Sequence, residues 1–176
     1  VKGEVIPWQY LITLFSPDFY GNPVTRNDWF GHYAEWASFI GVVPLLAALY
    51  ALVSKKTFRM WSFVILALGA LALAYPTPFN DLLFLAHLPA ISTSAASRII
   101  ILASFALATL ASFGIDTLMI DWQKQKRGKL MIFSFICAGL VLVGLAIVYI
   151  VPIMPADKLV IAKRNMLLPS MLAFVG

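Results

Sequence analysis

Long apolar runs separated by short polar ones organise this chain. Four of them approach the roughly 20 residues that a helix needs to cross a bilayer, within a range of about 17–25. They run from Trp36 to Val53, Met60 to Tyr75, Ile99 to Ile120 and Leu130 to Val151. The second is short, and Phe58 and Trp61 extend it at an interface. A fifth apolar run starts near Met166. The pattern predicts an all-α, polytopic transmembrane helix bundle with about four full spans, a partial fifth and outer-face loops. Residues 1–35 form an extracytoplasmic loop with an interfacial segment, and residues 36–176 form the bundle. Pro44 falls within the first span and removes a backbone bond to Ile40, so a kink near Ile40–Gly41 is expected. Ser104, Ala108 and Ser112 fall four apart on one face of the third span. Such a stripe of small residues lets helices approach closely, and an alanine-rich helix carries one without further purpose.

Composition strengthens the membrane reading. Of 176 residues, 61% are hydrophobic and 12% charged, with a mean hydropathy of +0.89. Soluble domains average about 45–50% apolar and about 25% charged, and this length could not hide so much apolar surface. The net charge of +5 does not point to nucleic acid, because the cations sit in short runs between apolar segments. Cys137 stands alone in an apolar run and forms no intramolecular disulfide. No signal peptide is visible. The polar start at Val1 and the apolar run cut at Gly176 suggest a piece of a longer polytopic protein, so the remaining spans of that chain are expected partners.

Charge sets the orientation. Ser54–Arg59 carries three cations and no acid, and Asp121–Lys129 carries four cations and one acid. Short basic loops stay cytoplasmic, so these two share the inner side. The opening segment and the Pro76–Ser97 loop then face outward. The opening segment is net acidic, in agreement, whereas Lys158, Lys163 and Arg164 after the fourth span disagree mildly.

The outer side holds the candidate chemistry. Pro7–Phe15 is aromatic, apolar and too short to span, as an interfacial segment would be. Ser16-Pro17-Asp18 and Tyr20-Gly21-Asn22-Pro23 read as turns. Arg26, Asp28, His32 and Glu35 follow, interleaved with Trp29, Phe30, Tyr33 and Trp36. An aromatic belt accounts for the rings but not for four ionisable groups. Aromatic faces with carboxylates bind sugars, and a general acid or base would come from Asp18, Asp28, His32 or Glu35. Glu35, at the lip of the first span, should face a wet cavity or pair with a cation. Solvated loop charges are the simpler account of the cluster. One His among scattered acids has no metal-ligand spacing, so no metal and no cofactor is expected. On the second outer loop, Ser92–Ser97 should cap the third span, and Arg98 supplies donors suited to a lipid-linked phosphate. Snorkelling of Arg98 to headgroups is the plainer alternative. His87 reads as an interfacial loop residue.

Phe15-Ser16-Pro17-Asp18-Phe19-Tyr20-Gly21-Asn22, then Tyr33-Ala34-Glu35-Trp36-Ala37-Ser38-Phe39-Ile40-Gly41-Val42-Val43-Pro44-Leu45-Leu46, resembles the bacterial YfhO-like membrane proteins. Ser97-Arg98 entering a span that ends Leu110-Ala111-Ser112-Phe113-Gly114-Ile115-Asp116 is similar to that family's arginine-led helix. The likeness covers roughly Pro7 to Ile120. It implies a GT-C-type glycosyltransferase in a bacterial plasma membrane. Such an enzyme moves sugar from a polyprenyl-phosphate carrier at the outer face to a cell-envelope polymer or protein. Tyr20, Gly21, Glu35, Gly41 and Arg98 match the family pattern. The group's catalytic acid lies in an earlier outer loop, expected upstream of Val1, so the catalytic residue is unknown here and the piece is expected to be inactive alone. Substrate binding is expected of Asp18, Tyr20, Asp28, His32, Glu35 and Arg98, with membrane lipid and a lipid-linked sugar donor as partners. A transporter or flippase of lipid-linked solutes is the alternative, and it needs polar residues deep in the spans. The spans offer few, Ser62, Ser104, Thr109, Ser112 and Ser134 among them, which counts against transport. A non-catalytic scaffold is the third possibility.

Overall fold

The structure, a computed structural model, describes residues 5–54, 57–85, 96–150 and 154–175. Lys55, Lys56, His87 and the 89–95 stretch of the second outer loop lie outside the described residues. All regular secondary structure among the described residues is helical. Six α-helices follow in order: α1 Val42–Ser54, α2 Phe58–Ala74, α3 Pro78–Leu85, α4 Ile100–Gln123, α5 Arg127–Ile150 and α6 Ala156–Val175. Short 3-10 helices cover Trp8–Leu14 and Ala96–Ile99.

Two helical stretches, Ser97–Gln123 and Arg127–Ile150, are long and apolar enough to cross a membrane. At 1.5 Å per residue their 24-residue α-helices reach about 36 Å, beyond a hydrocarbon core of about 30 Å. By contrast, α1 has 13 residues and α2 has 17, about 20 and 26 Å. A bundle of four full spans is therefore not what the helix lengths show.

The helix α1 begins later than its apolar run. Residues 37–41 have no regular structure, and Gly41 has φ +101°, a left-handed value that ends helical geometry. Pro44 is the third residue of α1, in the first turn, where its missing N–H has no partner to lose. It marks a helix start, and the kink expected at Ile40–Gly41 is absent because no helix precedes it. The last helix differs in the other direction. It starts at Ala156, ahead of the apolar run at Met166, because its polar residues find partners. Leu159 N–H bonds the Pro155 carbonyl at 2.9 Å, Lys163 Nζ bonds the Tyr149 carbonyl, and Asn165 bonds Asp18.

α4 is the central post. α2 runs antiparallel to it: Met60 and Val64 share a buried cluster with Leu110 and Ala111, while Ala70 and Ala74 share another with Ile100 and Ala103. α1 runs parallel to the second half of α4. A Cβ at Gly114 would lie 1.8 Å from the Ala47 carbonyl oxygen, so only glycine permits this approach. The packed face of α4 is Ala103, Ala106, Leu110, Ala111 and Gly114. Ser104, Ala108 and Ser112 lie beside it. Ala108 and Ser112 are exposed and line an open cleft, so the expected small-residue stripe is not the seam.

The bundle therefore has two distinct ends. At one, Ile6 N–H bonds the Ala74 carbonyl at 2.8 Å and Trp8 stacks on Tyr75 at 5.1 Å. The opening segment thus forms a cap over the ends of α2, α4 and α6. At the other end lie the end of α1, the start of α2 and the α4–α5 turn. There Asp121, 3% exposed, accepts from Tyr50 Oη at 2.8 Å and pairs with Lys126 and Lys129, each at 3.0 Å. Asp121 belongs to the last turn of α4, not to a loop, and ties α1, α4 and α5 together.

Candidate functional site

The cap is a small aromatic core held by turns. Pro7–Phe15 packs into it: Tyr10 is buried, 5.3 Å from the Tyr20 ring and edge-on to Trp36 at 5.1 Å. Trp29 and Phe30 complete the stack, at 5.1 and 4.7 Å from Tyr20. Gly21, with φ +89°, allows the chain to turn under Asn27, whose carbonyl oxygen would stand 2.2 Å from a Cβ. Lys158 of α6 sits 4.8 Å over the Trp29 ring, so the start of α6 is at the cap end.

The six sequence-derived residues fall into two groups. Asp18 and Tyr20 are engaged inside the cap. Asp18 Oδ1 accepts from Tyr33 Oη at 2.5 Å and from Asn22 Nδ2 at 3.1 Å, and its carbonyl accepts from Asn165 Nδ2. Tyr20 is 7% exposed and donates to the Gln9 carbonyl at 2.7 Å. Burial, with Tyr10 and Tyr75 nearby, pushes the Tyr20 hydroxyl up to about 12. Burial, then the hydrogen bond and charge of Asp18, pushes Tyr33 to about 12. Both stay neutral donors in ordinary water.

Asp28, His32, Glu35 and Arg98 are exposed. The His32 ring packs edge-on against Trp36 at 5.1 Å. Glu35 Oε1 and Arg98 Nη2, far apart in the chain, come to 3.6 Å at the cap rim. Arg98 rides on the Ala96–Ile99 helix, which continues directly into α4. The residue preceding α4 is Ile99, with no side-chain cap bond, so the expected hydroxyl cap is not formed by Ser97. Ser97 is instead fully buried beside Arg98. Its Oγ, and the Nε1 of Trp36 beside Glu35, have no partner among the described residues. Both atoms are shielded from solvent and lie in the packed interior, so they are not part of the open side of the ion pair.

A second polar feature was missed in the sequence. Asp116 lies inside α4, exposed, and lines a cleft of about 340 Å³ with Ser112, Ala108, Ile40 and Pro44. The cleft sits where α1 begins, halfway along α4. The signal was present in the sequence, since an acid within an apolar helix is a functional candidate by itself. Thr117 likewise belongs to the polar residues of this helix. No group of three or more potential metal ligands exists among the described residues.

Comparison with known protein families, with curated proteins and with solved structures finds no match to this chain.

Proposed function

We propose that the chain is the membrane part of a YfhO-like, GT-C-type glycosyltransferase, with its cap end handling a polyprenyl-phosphate sugar at the outer face of a bacterial plasma membrane. The observation that supports this most is the meeting of Glu35 and Arg98 at the cap rim, on the end opposite the Asp121–Lys126–Lys129 cluster. An exposed pair at this separation contributes only about 0–1 kcal/mol to stability. Stability therefore gives little reason for it, whereas both groups stay free to reorient toward a ligand. Arg98, 72% exposed, suits a phosphate because its fork can donate two parallel bonds. Glu35 suits sugar hydroxyls, and the rings of the cap supply apolar faces. Charge-assisted donors aimed at a leaving phosphate stabilise the charge that develops on it. Asp18 and Tyr20 hold the cap, and Asp28 and His32 are exposed groups available to the acceptor.

The test is binding of a short-chain polyprenyl-phosphate sugar to the chain in detergent. Arg98→Gln removes a charge-assisted contact of about 1.5–3 kcal/mol and should weaken binding roughly 10- to 100-fold. Unchanged binding by Arg98→Gln would end this reading. Asp116 favours a second reading, a carrier for lipid-linked solutes, because a carboxylate within an apolar helix and lining a cleft resembles part of a transport path. Asp116→Asn abolishing solute movement across vesicles, with binding of the polyprenyl-phosphate sugar unchanged by Arg98→Gln, would favour that reading.

A further inference from the structure

We propose that the cleft at the α4–α5 turn holds one anionic glycerophospholipid, with its phosphate at Arg127 and an acyl chain against Leu130, Met131 and Trp122. The cleft has about 510 Å³ and is also lined by Gln123 and Gln125. That size lies within the roughly 300–1,000 Å³ of small-molecule sites.

Its walls match the ligand in order. Arg127, Leu130 and Met131 stand at i, i+3 and i+4 in the first turns of α5 and so share one face. A guanidinium is followed, one turn along, by two apolar side chains, as a headgroup is followed by its chains. Trp122 faces them from the last turn of α4, 72% exposed. Such an exposed indole suits the headgroup level, where its ring and N–H meet different surroundings. The two glutamine amides offer donors and acceptors for phosphate and ester oxygens.

The turn is held in shape. Gln125 has φ +51°, an uncommon value for a residue with a side chain. It is kept there by Gln125 N–H to the Trp122 carbonyl and Lys126 N–H to the Asp121 carbonyl, each at 3.0 Å. Charge is also partitioned. Asp121 engages Lys126 and Lys129, while Arg127 forms no ion pair among the described residues. Arg127 is therefore the cation that the cleft presents, and its fork fits a phosphate. The turn joins the two helices long enough to cross a bilayer, so the cleft falls at headgroup depth. Basic pockets between spanning helices bind acidic headgroups for this reason. The inference does not depend on the sugar-transfer reading.

The experiment is native mass spectrometry of the chain in detergent with phosphatidylglycerol, phosphatidylcholine or inorganic phosphate added at equal concentration. One phosphatidylglycerol should be retained, about fivefold in preference to phosphatidylcholine, the preference expected from one surface cation. Arg127→Gln should bring the two lipids to parity. Arg59→Gln, on the same end at the start of α2 but outside the cleft, should leave the preference intact. A photoactivatable phosphatidylglycerol should crosslink to the peptide containing Leu130 and Met131. Retained preference in Arg127→Gln, crosslinks confined to other peptides, or phosphate displacing the lipid at equal concentration would each overturn the proposal.

Discussion

Gly114→Ala is the most demanding test of how this bundle is assembled. In α4, the added Cβ would lie 1.8 Å from the Ala47 carbonyl oxygen and 2.5 Å from its carbon. An ordinary contact of this kind is at least about 3.4 Å, so α1 must retreat by roughly 1.5 Å. The obstacle is backbone, so rotamer changes cannot relieve it. The hydrogen bond from Tyr50 Oη to Asp121 starts at 2.8 Å and would be stretched beyond bonding distance. The cluster of Ala47, Ala48, Ala51, Met60, Val64, Leu110 and Ala111 would open along its α1 side. Overpacking a close seam costs about 1–3 kcal/mol, and a backbone contact places this one toward the top of that range. For a chain of this size that lowers Tm by roughly 4–12 °C. Thermal unfolding in mild detergent, followed by circular dichroism, measures it. Gly69→Ala and Gly139→Ala are the controls, because nothing lies within 4 Å of a Cβ at either. In mid-helix each should be neutral or stabilising by up to about 1 kcal/mol. A Gly114→Ala melt equal to or above that of the controls would refute the close α1–α4 seam.

Other expectations follow from the same geometry. Asp121→Asn removes both lysine pairs and should destabilise more than Tyr50→Phe, which removes one hydrogen bond; paired thermal melts compare them, and the reverse order would contradict the clamp. Glu35→Gln should change stability by less than about 1 kcal/mol while weakening donor binding, and a large loss of stability would make the pair structural. Tyr20 and Tyr33, pushed up to about 12 when folded, are protonated more readily in the folded than in the unfolded chain. Their stabilisation is full below the unfolded value near 10 and is lost as pH rises from about 10 through 12. Ultraviolet titration should show phenolate appearing late, together with loss of the cap, and complete titration near pH 10 in a folded cap would contradict it. Gly31→Ala should disrupt the cap as well, since its Cβ would meet the Trp36 and Tyr10 rings within 2.8 Å.

What the sequence showed and what it hid have physical causes. α4 and α5 were legible because a long apolar run with few breakers leaves little choice but a helix. The start of α1 was hidden, since apolar residues continue through Ser38–Gly41 while the backbone does not become helical. Pro44 carried the information, but as a first-turn residue rather than a kink. The packed face of α4 was misassigned by one position, because Ala, Ser and Gly recur at several helical spacings and only the partner α1 selects among them. Asp116 was passed over although an acid in an apolar helix stands out. The meeting of Glu35 and Arg98 could not be read locally, because it depends on the opening segment folding back over the ends of α2 and α4.

The central claim is that the cap and the α4–α5 turn lie on opposite sides of a membrane. It is tested most directly by labelling single cysteines in intact cells with a membrane-impermeant maleimide, in a Cys137→Ala background. Asp28→Cys should be labelled from outside, and Lys124→Cys only after the membrane is permeabilised. Labelling of both positions from the same side, or of Lys124→Cys alone from outside, would contradict the account.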